Sequence, residues 1–336
     1  MTRAHRRLLT QALAATVTAT LAALAATGSA WAQTPAAAYP NKPIRLVIGF
    51  APGGAADYVA RTVSEPMGRA LGQAVVVENR AGAGSSLAAD FVAKAPPDGY
   101  TLLIASPSSI SVNPALNPRI SYAFKDFIPV ARITASPLVV AVNPKAGINS
   151  MTDLVAQARK NPGSLNYTSS GNGSAPHLGA VHFSKVMGIE MVHIPYKGGA
   201  PAIQSVVAGD TQLTFGTPPS VLPMVQAGRL KALGVTTPQR SPLVPELPGM
   251  LEAGIQGYSM SFWYGFFVPA GTPPDIVKRV FDAATKALND PEVKTALARE
   301  GTEVALSKSP EDFSRFLAED NLFWAKLVKE AGVKLD

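Results

Sequence analysis

Residues 44–61 read IRLVIGFAPGGAADYVAR. An apolar run rich in β-branched residues passes through Pro52-Gly53-Gly54 into a segment where Val59, Val63, Met67 and Leu71 share one face of a helix. A strand that feeds a helix through a glycine turn leaves the first N–H groups of the helix unpaired, at the positive end of its dipole. The glycines let the backbone approach a bound group with no Cβ in the way. Such a turn suits a carboxylate or a phosphate. A second Gly/Ser turn, TSSGNGSAPHL at 168–178, lies about one domain further on. The two are read as jaws that close on one anion.

Around these turns, apolar strands alternate with helical stretches, the pattern of parallel sheets with helices on both faces. Strands are expected at 44–50, 75–77 and 100–105, then at 138–142, 165–168, 191–194, 213–215 and 232–235, and again at 262–268. Helices are expected at 152–159, 178–187, 201–208 and 221–227. Ser150 and Asp153 form an approximate capping box for the first of these. Pro66 should kink the helix after the first turn. A proline-rich excursion through Pro238, Pro242, Pro245 and Pro248 precedes the return to strand. The C-terminal part is helical, one helix starting near Pro273-Pro274 and the last at Ser309-Pro310. Phe313, Phe316, Leu317, Phe323, Trp324, Leu327 and Val328 make an apolar stripe expected to pack on the first domain.

The N-terminus carries Arg3, Arg6 and Arg7, a weakly apolar run over 8–26 and the small-x-small site Ala30-Trp31-Ala32. This is the plan of a cleaved signal peptide over 1–32, exported by the Sec route or, given Arg6-Arg7, the twin-arginine route. Its removal takes away three arginines and no acids, lowering the formal charge from +7 to +4. That mild excess favours anionic ligands and is far from the basic surface of a nucleic-acid binder. The absence of cysteine excludes disulfides and thiol chemistry. The expected organisation is domain 1 over 33–138 plus 262–336 and domain 2 over 139–261, joined by two crossings.

Catalytic patterns fit poorly. His177 and His182 are five residues apart, about 140° around a helix, unlike a pair that shares a metal. No G-x-S-x-G elbow, third dinucleotide-binding glycine or Walker lysine is present. The reading is a binding protein, with no metal, no cofactor and no catalytic residue. A hydrolase using the Ser/His turn at 169–177, or a ligand receptor for a sensor kinase, stands as the alternative.

Six segments, FAPGGAADYVAR (50–61), VVVENRAGAGSSLAADFVAKAPPDGYTLL (75–103), YTSSGNGSAPHL (167–178), IPYKGGAPAIQSVVAGD (194–210), VQAGRLKALGVTTPQRS (225–241) and VPAGTPPDIV (268–277), resemble the signatures of the Bug family. These are the TctC-like periplasmic solute receptors of tripartite tricarboxylate transporters. The resemblance implies an α/β two-domain periplasmic-binding-protein fold, a type II Venus flytrap, with a mainly parallel sheet in each domain. It further implies a monomeric periplasmic receptor that takes a small carboxylate (a di- or tricarboxylate, an aromatic acid or a related one) and hands it to a TctA/TctB-like permease pair.

Carried over position by position, the first jaw is Phe50, Ala51, Gly53, Gly54, Ala55 and Asp57. The second is Ser169, Ser170, Gly171, Gly173, Ser174 and His177, with Tyr196, Gly216 and Thr217 near the cleft. Ser106, just past the 100–105 strand, joins the set. Amides of Gly53, Gly54 and Ala55 are expected to take one carboxylate, and residues 170–174 to supply donors opposite. Asp57 is read as a water-holder or loop orienter, or as a cap of the first helical turn. Phe50 and Tyr196 wall the cleft or pack in the core; Arg80 and Lys197 are anion partners or ordinary surface charges. Ser85-Ser86 departs from a commoner glycine pair in the family, and Gly216 from a common aspartate, which favours a plain acid over an amino acid.

Overall fold

The computed structural model describes residues 39–117 and 119–331; the expected leader lies outside them. In chain order the elements begin β1 (Ile44–Ile48), α1 (Ala55–Leu71), β2 (Val75–Asn79), α2 (Ser86–Ala93), β3 (Thr101–Ala105), α3 (Asn113–Leu116) and β4 (Phe127–Pro137). They continue β5 (Val139–Val142), α4 (Met151–Lys160), β6 (Asn166–Ser169), α5 (Ala175–Met187), β7 (Val192–Pro195), α6 (Gly199–Ala208), β8 (Leu213–Gly216), α7 (Pro218–Gln226) and β9 (Lys231–Val235). The last are β10 (Ser261–Pro269), α8 (Pro274–Asn289), α9 (Pro291–Arg299), β11 (Glu303–Val304) and α10 (Pro310–Ala331).

Two sheets result, ordered β11-β4-β10-β3-β1-β2 and β7-β6-β8-β5-β9. The expectation of mainly parallel sheets is corrected: both are mixed. Pairing is parallel for β1 with β2 and β3, and for β6 with β7 and β8. It is antiparallel wherever β10, β5 or β11 takes part. The crossings explain most of this. Strands β1, β3, β6 and β8 end at the cleft, whereas β5 and β10 enter their sheets from it and must run the other way. Thr236 ties the crossing segments together: its hydroxyl accepts from Leu138 N–H at 2.7 Å and donates to Met260 C=O at 2.7 Å.

Each lobe has its own core. In the first, Val47, Leu103, Trp263 and Phe267 of the sheet pack with Ala89 and Val92 of α2 and with Phe313 and Leu317 of α10. In the second, Val139, Ala141 and Val235 pack with Ile203, Val206, Val221 and Leu222 of α6 and α7. The stripe on α10 is buried at Phe313, Leu317, Trp324, Leu327 and Val328, but Phe323 faces solvent at 43% exposure. Helix α1 runs unbroken through Pro66. Ser150 caps α4 by accepting from Asp153 N–H at 3.0 Å, while the Asp153 carboxylate accepts from Asn149 N–H, so only half of the capping box forms.

Candidate functional site

The loop from β1 to α1 is set by hydrogen bonds on its outer side. Gly53 adopts φ 79°, a left-handed conformation that suits glycine. Its N–H donates to Asp57 Oδ2 at 3.0 Å, and the same oxygen accepts from Arg61 Nε at 3.0 Å. Asn79, at the end of β2, donates to Asp57 Oδ1 at 3.0 Å and to Phe50 C=O at 3.1 Å. Burial opposes the charge of Asp57, but the bonds from Arg61, Gly53 and Asn79 outweigh it and hold the carboxyl below its ordinary range. Asp57 therefore orients the loop, and Gly53 N–H is already engaged. The donors left at the first turn of α1 are the amides from Gly54 to Asp57, which have no intrahelical partner, Tyr58 N–H being the first to bond back, to Gly54 C=O.

Facing this turn across the cleft, Ser169 ends β6 and Ser170 follows it. Ala51 N–H crosses between the lobes to Lys197 C=O at 3.1 Å. Between the lobes lies a small hollow of about 20 Å³, lined from the first lobe by Phe50, Gly54, Ala55, Ala56 and Tyr264. From the second lobe come Ser169, Ser170, Thr214, Gly216, Thr217 and Ser220. No ionised side chain lines it. Instead the starts of four helices converge there: Gly54 to Ala56 at α1, Pro176 at α5, Gly199 at α6, and Thr217 with Ser220 at α7. Four positive helix ends around one small space favour an anion without a paired cation.

Of the expected residues, Phe50, Gly54, Ala55, Ser169, Ser170, Gly216 and Thr217 meet at this hollow. Gly171 and Tyr196 line a second hollow, which also reaches Ser170. The rest of the glycine turn is occupied with itself. Gly171 N–H donates to Ser169 Oγ at 3.1 Å, Ser174 N–H to Gly171 C=O at 3.1 Å, and Gly173 N–H to His177 Nδ1 at 3.0 Å. Ser174 Oγ caps α5 through His177 N–H. Residues 171, 173 and 174 thus shape the turn, and the expected run of donors over 170–174 narrows to Ser170 and Asn172, both of which line the second hollow. Ser106 is buried at the end of β3 and lines neither hollow; its C=O accepts from Ser109 N–H.

The histidines form a support behind the jaw. Tyr167 and His193 sit side by side on β6 and β7, and the His177 ring lies nearly parallel to His193 with ring centroids 3.9 Å apart. Burial, then the neighbouring His193, pushes His177 down to about 3, and burial pushes His193 down to about 4. Both are neutral imidazoles at neutral pH. His193 Nε2 lies 2.6 Å from Ser169 Oγ, so the serine's partner is His193 rather than His177. Among the described residues no cluster of three His, Asp or Glu is placed to hold a metal.

Sequence reasoning missed Tyr264, Thr214 and Ser220. Ser220 was legible: Thr217 followed by Pro218 marks a helix start directly after a strand, three residues earlier than the apolar spacing placed it.

The family model described as "Tripartite tricarboxylate transporter family receptor" (TctC) matches residues 59–333. The chain belongs to the TctC family. Among solved structures, a TctC-type neighbour, the periplasmic binding protein BugD, superposes with a TM-score of 0.83 at 31% identity, covering 88% of this chain and 99% of its own. Rpa4515 from R. palustris, solved with adipate, gives 0.84 at 33% identity, covering 88% and 99%. MatC from Rhodopseudomonas palustris, solved with bound malate, gives 0.81 at 29% identity, covering 86% and 100%. The chain is thus a periplasmic solute-binding protein of the TctC type, with the two-lobed α/β fold of that group. No helix among the described residues is long and apolar enough to cross a membrane.

Proposed function

We propose that this protein captures a small carboxylate between its lobes and presents the closed form to a membrane permease pair. The observation that carries the reading is the uncharged hollow at which four helix starts from both lobes converge. A carboxylate there gains charge-assisted bonds from main-chain amides and hydroxyls, each contributing about 1.5–3 kcal/mol once water is excluded. Relatives of the same fold solved with adipate and malate support the ligand class. A ligand touching both lobes stabilises the shut arrangement over the open one, and occupancy becomes a shape that a partner can read. The reading includes export by cleavage after Ala32, a monomer, and lobes corresponding to 33–138 plus 262–336 and 139–261.

The Ser169–His193 contact lends some weight to a hydrolase, but Ser169 is fully buried and Gly171 N–H already occupies its oxygen. One experiment addresses both readings. Native mass spectrometry of the purified protein should show a retained small acid, and calorimetry after its removal should show rebinding that Gly54→Val weakens at least a hundredfold. Turnover of carboxylic esters that disappears in Ser169→Ala would instead favour the enzyme.

A further inference from the structure

At the rim of the cleft the lobes touch through main chain rather than through side chains. On one side the β1–α1 loop meets the β7–α6 loop. Ala51 N–H donates to Lys197 C=O at 3.1 Å, and a Cβ placed on Gly198 would lie 2.9 Å from Ala51 N and 3.0 Å from Ala51 Cβ. One turn of chain further on, a Cβ on Gly53 would stand 3.6 Å from Ala200 Cβ. On the other side the β2–α2 loop meets the β6–α5 turn. There a Cβ on Gly84 would overlap Asn172 C=O, and one on Gly171 would lie 3.6 Å from the main chain of Gly84.

The two contacts differ in kind. At the second, Asn113 holds the β2–α2 loop from behind, its amide donating to Ala83 C=O and Gly84 C=O at 3.2 and 2.8 Å. Its Oδ1 abuts Gly173, buried and without a hydrogen-bond partner. This contact supplies shape and leaves one polar atom unsatisfied. The first contact supplies a hydrogen bond between the lobes, and the missing Cβ at position 198 is what lets the two chains come close enough to make it. Ala51, Gly198 and Ala200 line neither of the two hollows. They can therefore act on a bound acid only through the closing movement.

We propose that Ala51 and Ala200 are positioning residues of a main-chain clasp that sets how far the lobes close and how long they stay closed. Closure itself belongs to the receptor reading above, on which this rests; the clasp adds what stops the movement and what holds its end point. Its contacts exist only in the shut form. It therefore acts on release of the ligand rather than on capture, and acts alike on every acid that fits.

Ala51→Val and Ala200→Leu add bulk at the contact without backbone strain, since neither residue has a positive φ. Both variants and the unmodified protein, stripped of ligand, are mixed with adipate and with malate in stopped flow. Release should quicken about tenfold while the association rate stays within about twofold, by the same factor for both acids. The empty variants should melt within about 2 °C of the unmodified protein, and the acid-saturated variants should scatter X-rays with a larger radius of gyration. Unchanged release in both variants, a loss confined to one acid, or faster release with an unchanged radius of gyration would overturn the clasp. The receptor reading would survive each of these, because it stands on acid binding to the unmodified protein. A second arm needs no ligand. The chain has no cysteine, and Gly53→Cys combined with Ala200→Cys would place two Cβ atoms 3.6 Å apart, within the span of a disulfide. Mild oxidation of the native double variant should join both thiols within one molecule; thiols that persist would overturn the clasp even where neither acid binds.

Discussion

His193 shows how a residue acquires its role from register rather than from its sequence neighbours. It lies 16 positions from His177, yet the parallel pairing of Tyr167 with His193 and the start of α5 above them stack three rings behind Ser169. No spacing rule predicts this, because it depends on which strand β6 chooses as neighbour. What was legible at this scale was the glycine turns themselves, Gly53-Gly54 and the 168–178 segment. What was not legible was which of their amides stay free, since that depends on Asp57 and His177 folding back onto them. Stability follows from the ring stack. His193 is depressed to about 4 from an ordinary 6.5, so between those pH values the unfolded chain takes up a proton that the folded chain refuses, and stability falls as pH drops through that window. With allowance for partial exposure the loss is about 2 kcal/mol by pH 4.5. Urea unfolding at pH 7 and pH 4.5 should show His193→Gln losing less on acidification than the unmodified protein by about that amount. Equal losses would mean that the ring is protonated in the folded state.

At the scale of elements, the strands that feed the cleft were readable because an apolar run followed by a glycine or Pro-marked helix start is a local signal. Strand β4 was not. Its sequence, FIPVARITASP, carries Pro129 and Arg132 inside and Pro137 at its end, features that argue against a central strand. The structure accommodates Pro129 beside a register shift against Phe266 and Phe267 of β10. Strand β11 spans two residues and has no pattern to read. Helix α10 was legible in its cap and stripe, and it holds one charge where the stripe would favour none. Trp263 Nε1 donates to Asp320 at 2.9 Å, and burial pushes this carboxyl up to about 6. A carboxyl raised in the folded state keeps its full contribution below its ordinary value near 3.8 and loses it as pH rises through about 6. Asp320→Asn keeps an acceptor for the indole and cannot ionise. It should stabilise the protein by about 2 kcal/mol at pH 7.5 and by little at pH 4; denaturant melts at the two pH values would expose a flat difference if Asp320 contributes nothing.

For the whole molecule, the two sheets communicate through few covalent paths, and Thr236 sits where those paths run side by side. Its backbone N–H reaches Leu138 C=O at 2.9 Å and its C=O accepts from Met260 N–H at 2.9 Å, so strand pairing continues across the junction. The hydroxyl adds a second layer by serving Leu138 N–H and Met260 C=O together, in a fully buried position. On the receptor reading proposed above the lobes move as bodies about a narrow junction, and a side chain that bonds both crossings would keep them from sliding past one another as they bend. Thr236→Val preserves shape and strands both partners without water, at about 1–3 kcal/mol each, so a total loss of about 2–6 kcal/mol is expected. Thr236→Ser retains the oxygen and should recover most of it. Comparing the two variants by urea unfolding separates the hydroxyl from simple packing: if Ser and Val lose equally, the missing methyl and not the hydrogen-bonded tie holds the junction.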